Sequence, residues 1–368
     1  MNSLIYKRIV IKIGSSTITD KKRLVREKWL KSVAKDIKGI KDKTEVIIVT
    51  SGAGALGAKA INKTGKLTLP EKQAACAIGQ INLMQGYVNA FKPLPVAQIL
   101  LTISDTEQRH RYLNAKNAIE TILKAGAIPV INENDAVATA ELKYGDNDRL
   151  SARVAQMLGA DLLIIFSDID GLYTGNPKTD KTAKHLDIVE EITKDIEKMA
   201  TGASSSDVGT GGMVTKIEAA KIAVRAGCDT IITNGEINNP ISKLLGGKVK
   251  YTHFKSKISP LNARKQWIVS GVKPMGEIEI DNGAASALLK GKSLLPAGAT
   301  EIWGDFERGD LVIIKSEGNE VARGLTAYSS EDARKIIRKK SSELEHILGF
   351  TGRNELIHRD DMVITTNN

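Results

Sequence analysis

The chain has 368 residues, 42% of them hydrophobic and 26% charged, the balance of a soluble globular protein too long for one ordinary core. Two cysteines, Cys76 and Cys228, exclude a disulfide framework or a cysteine-rich metal cluster, and 4% aromatic content argues against a stacking platform for single-stranded nucleic acid. The early apolar run Ile9 to Ile13 is short and broken by Lys12, and Leu162 to Phe166 is too short to cross a bilayer, so a cytoplasmic location is expected.

The net charge of +10 is uneven. From Pro274 onward there are 12 Lys and Arg against 16 Asp and Glu; the first 273 residues hold the remaining 41 against 27. A positive field over that first part suits an anionic ligand such as a nucleotide, or nucleic acid. Along it, apolar runs at 8–13, 45–50, 94–99, 127–131, 162–166 and 229–233 read as buried strands. Helical patterns at 26–41, 70–91, 114–125, 148–158, 193–200 and 214–226 lie between or after them. Near-continuous apolar strands separated by helices predict an α/β fold, an open, mostly parallel sheet sandwiched by helices. Residues 1–258 form the expected first domain and 259–274 a proline-containing linker. Short β-like pieces with turn glycines predict a smaller, mostly-β domain over 275–368.

Residues with chemical potential gather where strands end. Lys12 sits in an apolar strand just before Gly14-Ser15-Ser16, at the edge where such sheets bind ligands. Thr50 to Gly57 contains a literal GxGxxG, but it follows the second strand. A dinucleotide fingerprint follows the first and wants an acid about 20 residues on at a strand end; Glu71 instead opens a helix. Gly291-Lys292-Ser293 imitates the end of a P-loop, yet Ser286 occupies the position of the required earlier glycine. The segment Pro129 to Asp148 crowds acids and asparagines after a strand, with Asn132-Glu133-Asn134-Asp135 at its edge. Ser167-Asp168 follows another strand, and Gly209-Thr210-Gly211-Gly212 leads into a helix carrying Lys216, a cation poorly placed against the helix dipole unless an anion is near.

The five histidines, at 110, 185, 253, 346 and 358, lie outside these loops. Lysines, glycine loops and aspartates suit phosphoryl transfer by positioning and charge neutralisation, without covalent catalysis or a histidine base. A carboxylate acceptor, already ionised at neutral pH, needs no base.

In this order, Lys12, the Ser51 loop, Ser167-Asp168 and the Lys216 loop resemble the amino acid kinase family. The strings VTSGA, PVINENDAVA, GDND, DGLYT and GTGGMVTK carry the likeness, and the tail, with EGNEVARGL and ILGF, is similar to a PUA domain. The resemblance implies the amino acid kinase fold and transfer of the ATP γ-phosphoryl to the side-chain carboxylate of L-glutamate, opening proline biosynthesis. It gives Lys12 and Lys216 the stabilisation of the transferred group and Asp148 the ordering of both lysines. Ser51, Asp135 and Asn147 would bind glutamate. Lys12, Ser167, Asp168 and the run Thr210, Gly211, Gly212, Met213, Val214, Thr215 and Lys216 would hold ATP. Mg2+ would bridge the phosphates with few protein ligands, and no residue is assigned to it. The resemblance also implies a homo-oligomer, dimer or tetramer, and proline as feedback inhibitor. Sister acceptors are N-acetylglutamate, aspartate and carbamate; the Asn134-Asp135 pair favours one with a free ammonium group. RNA binding by the last domain is the reading from another class, disfavoured by its acidic balance.

Overall fold

Six strands form where the six apolar runs lie: β1 (Arg8–Ile13), β2 (Glu45–Thr50), β3 (Val96–Leu101), β4 (Ile128–Glu133), β5 (Leu162–Ser167) and, after three short strands, β9 (Asp229–Asn234). The short strands are β6 (Leu172–Tyr173) and β7 (His185–Leu186), which pair with each other, and β8 (Ile188–Val189); β10 (Tyr251–Phe254) follows β9. The computed structural model describes residues 6–61, 67–138, 146–202, 212–270 and 273–365. Contacts divide the chain into two units, Met1–Pro260 and Leu261–Asn368.

In the first unit the sheet order is β3-β4-β2-β1-β5-β9-β10-β8, parallel from β3 through β9, with β10 antiparallel to β9. Alternation along each strand feeds two cores. Ile9, Ile11 and Ile13 of β1 join one core with Trp29, Leu30 and Val33 of α2 (Glu27–Ile40) and Leu83, Tyr87 and Phe91 of α4 (Leu69–Phe91). Val10, on the opposite face, joins Leu150 and Val154 of α7 (Asp146–Leu158) and Ile217 and Ala220 of α9 (Met213–Arg225). Lys12 shares the parity of Val10 and so faces α7 and α9. The remaining helices of this unit are α1 (Ser15–Ile18), α3 (Ala53–Gly57), α5 (Ile103–Glu107), α6 (Arg109–Lys124), α8 (Lys194–Gly202) and α10 (Pro240–Leu245).

Three boundaries differ from the sequence reading in ways that matter. β3 starts at Val96, two residues late, and is an edge strand whose Gln98 and Leu100 are exposed. β4 extends through Asn132 and Glu133, because their pairing with Leu100 and Leu101 continues the ladder; both are buried strand residues, outside the loop expected for them. Helix α6 starts five residues early, after the short α5, whose Thr102–Asp105 capping box fixes a turn the hydrophobic pattern does not reveal.

The stretch 259–274 carries helix α11 (Pro260–Ser270). In the second unit β11 (Gly276–Ile280), β12 (Ala299–Gly304), β13 (Leu311–Ser316), β14 (Asn319–Leu325) and β15 (Met362–Ile364) form a sheet of order β12-β11-β13-β14-β15. Helices α12 (Asn282–Leu289), α13 (Ser330–Ile336) and α14 (Leu344–Leu348) accompany it. Gly291 (φ +74) ends α12 with backbone bonds from Gly291 N–H to Leu288 and from Lys292 N–H to Ala287, so Gly-Lys-Ser here is a helix stop. Among the described residues no helix is long and apolar enough to cross a membrane.

Candidate active site

Three charged side chains from three elements meet beside the carboxyl end of β1. Asp148, in the first turn of α7, is fully buried, and Lys12 and Lys216 are each 6% exposed. Lys12 Nζ lies 2.5 Å from Asp148 Oδ1 and Lys216 Nζ 3.5 Å from Oδ2. The Thr215 hydroxyl stands 2.8 Å from the same Oδ2 and 2.9 Å from the Gly212 carbonyl, tying the carboxylate to the N-terminus of α9. Burial pushes the Asp148 carboxyl up, but the two ammonium groups outweigh it and hold it below the usual carboxylate range. Burial lowers Lys216, and Lys12 adds to that, against the pull of Asp148 and Asp168; the result lies below an ordinary lysine. Two buried ammonium groups thus share the buried Asp148 carboxylate, with Asp168 also close enough to act on Lys216.

Beside this triad the strand-end residues divide into two groups. Ser51 follows β2 and precedes Gly52, whose φ of +107 only glycine adopts easily; a Cβ there would also meet Ile18 Cγ2 at 2.8 Å. Below it, Tyr87 donates a buried 2.8 Å hydrogen bond to Thr50 Oγ1. The later glycine of the GxGxxG string has a packing role: Cβ atoms on Gly57 and Gly79 would each lie 1.8 Å from a carbonyl oxygen, of Ala75 and Ala53 respectively. Helices α3 and α4 therefore cross in backbone contact, and Glu71 closes a capping box with Thr68; neither serves a dinucleotide.

Asp135, half-buried, bonds to the half-buried Cys76 of α4, whose thiol is pushed up to about 12 by burial and by that carboxylate. Cys76 Sγ is also 3.1 Å from where a Cβ on Gly54 would stand, so it links the Ser51–Gly54 turn to Asp135. Asn147 accepts from the Glu133 N–H at 3.3 Å. The proposed acceptor residues Ser51, Asp135 and Asn147 thus share one neighbourhood, built from β2, β4, α4 and α7.

On the other side, the buried Ser167 hydroxyl donates to exposed Asp168 at 3.1 Å. The loop beyond is braced by His185, whose Nε2 is 3.3 Å from the Asp170 carbonyl and whose ring meets Tyr173 edge-on at 5.0 Å. Gly212 caps α9, Val214 packs against the core and the Met213 side chain is buried within it, so Met213 could reach a nucleotide only through its backbone. Thr210 and Gly211 lie outside the described residues. Gln80 and Cys76, which sequence reasoning did not select, support this site together with Asn132 of the asparagine- and acid-rich cluster. The readable signal for Gln80 was a polar residue in line with Leu83 and Tyr87 on the inward stripe of α4.

Lysine-framed carboxylate, glycine loops and an open α/β sheet without a P-loop define a phosphotransferase. The chain belongs to the amino acid kinase family: that family's model matches residues 7–234, and the PUA domain model matches 276–348. The chain is 52% identical to the glutamate 5-kinase of Paramagnetospirillum magneticum, over 97% of this chain and 98% of the relative. It is 50% identical to that of Rhizobium etli and 51% to that of Agrobacterium fabrum, each over 98% of this chain and 93% of the relative.

Proposed function

We propose that the protein transfers the γ-phosphoryl of ATP to the side-chain carboxylate of L-glutamate, giving L-glutamyl 5-phosphate and ADP, the entry to proline biosynthesis. The observation that carries this reading is the buried Lys12–Asp148–Lys216 triad between two polar loop clusters. Ser167, Asp168 and the N-terminus of α9 suit a nucleotide, with Thr210 to Lys216 as its phosphate loop. Ser51, Asp135 and Asn147 suit an amino-acid acceptor, Asp135 offering a carboxylate to its ammonium group.

Lys12 and Lys216 neutralise the charge that spreads over the phosphoryl oxygens as it moves, and Asp148 keeps both ammonium groups in place. The acceptor carboxylate attacks phosphorus directly, the bond to the β,γ-bridging oxygen breaks, and the electron pair leaves with ADP. No proton is removed from the nucleophile. Mg2+, bound together with ATP, would neutralise part of the phosphate charge. Exposed Asp168 is the carboxylate here that would help hold the ion, whereas buried Asp148 is paired with Lys12 and Lys216.

A cytoplasmic homo-oligomer inhibited by proline, with the catalytic work confined to residues 1–258 and a PUA domain over 275–368, completes the proposal. Trapping with hydroxylamine tests it: L-glutamate and ATP should yield a hydroxamate and ADP, while a product formed only from N-acetylglutamate, aspartate or carbamate would overturn it.

A further inference from the structure

Helix α4 turns one stripe inward: Cys76, then the buried Gln80, Leu83 and Tyr87, spaced three and four apart. Leu83 and Tyr87 fit there by hydropathy; Gln80, 9% exposed, does not. Its Oε1 accepts a buried 2.8 Å hydrogen bond from Asn132 Nδ2, while its Nε2 is buried without an acceptor among the described residues. Methionine or leucine would fill similar volume and leave no donor unmet. What the amide contributes is therefore its carbonyl oxygen, and the partner of that oxygen is Asn132.

That bond fixes the Asn132 amide, its NH2 toward α4 and its Oδ1 accepting the Glu133 N–H at 2.9 Å. The same N–H lies 3.3 Å from Asn147 Oδ1. Asn147 thus turns its carbonyl toward the end of β4, and its NH2, the donor end of the amide, away from that bond. We propose that Gln80 is a positioning residue for the acceptor: acting through Asn132 and the end of β4, it sets Asn147 to donate to a carboxylate. The inference rests on the acceptor reading above and concerns a residue that touches no reacting atom. Its effect therefore belongs in the KM for glutamate, with kcat and the KM for ATP largely untouched.

Steady-state kinetics on Gln80→Met, Gln80→Glu, Asn147→Ala and the Gln80→Met/Asn147→Ala double variant test this. Gln80→Met should raise the KM for L-glutamate about tenfold, the equivalent of one hydrogen bond, with kcat and the KM for ATP within about twofold. Gln80→Glu keeps an oxygen facing Asn132 and should restore the KM to within about threefold of wild type. On the Asn147→Ala background, Gln80→Met should add nothing. Gln80→Leu serves the same comparison if Gln80→Met does not fold. An unchanged glutamate KM in Gln80→Met, an equal loss across kcat and both KM values, or additive effects in the double variant would each overturn the inference alone. Wild-type protein without glutamate-dependent ADP release would overturn the acceptor reading with it.

Discussion

The carboxylate of Asp148, with no exposed surface, lies 2.5 Å from the ammonium of Lys12, a strand residue that would otherwise be a buried cation in an apolar sheet. Asp148 makes that lysine tolerable, and the lysine in turn keeps Asp148 ionised. The same carboxylate receives Lys216 on its other oxygen. Removing it should therefore harm both stability and turnover. Asp148→Asn should lower stability by about 3–5 kcal/mol, the usual cost of leaving buried charge unpaired. It should also reduce kcat by about 10²-fold. Denaturant melts and initial rates measure the two effects separately.

Lys12→Ala and Lys216→Ala should each lower kcat by about 10²-fold or more, because each removes charge stabilisation exerted mainly in the transition state. A change confined to KM would contradict that role. Lys216→Arg should not restore the rate, since a planar guanidinium does not reproduce a point charge at this position.

Acid sensitivity follows from the depressed Asp148. Its folded pKa is below the unfolded value of about 3.9, so its contribution to stability is fully present above that value. The contribution is lost as pH falls through the folded pKa. Unfolding free energies measured from pH 6 downward should show Asp148→Asn and wild type converging below about pH 4, the gap between them being widest near neutrality.

Gly79→Ala tests the crossing of α3 on α4. The added methyl would stand 1.8 Å from the Ala53 carbonyl, a backbone atom that cannot rotate away. A loss of about 1–3 kcal/mol is expected, and because α3 follows the Ser51 turn, the KM for glutamate should rise as well. A melt paired with glutamate titration checks both.

Much of this was legible from the chain. Strands β1 and β2 appear at the residues where continuous apolar runs put them, and Lys12 was conspicuous as a cation within such a run. Its salt bridge to Asp148 was not legible from periodicity, because pairing across 148 and 216 depends on which helices lie on one face of the sheet. Sequence alone placed Asn132 and Glu133 in a loop, since polar residues after an apolar run look like its end. Pairing with Leu100 and Leu101 keeps them in the ladder instead. Gln80 stayed hidden for a related reason: one of three glutamines in α4 gains meaning only when its partner across the fold is known.

The order of synthesis bears on the triad in its own way. Strand β1 emerges first yet occupies the middle of the sheet, between β2 and β5, so its second neighbour arrives only after residue 162. The second ammonium comes later still, on α9. A nascent chain that stops short of Lys216 carries Lys12 and Asp148 as one ammonium against one carboxylate, without the second cation of the triad. In the proposed function the pair of lysines is therefore complete only when α9 docks against α7, late in the order of synthesis.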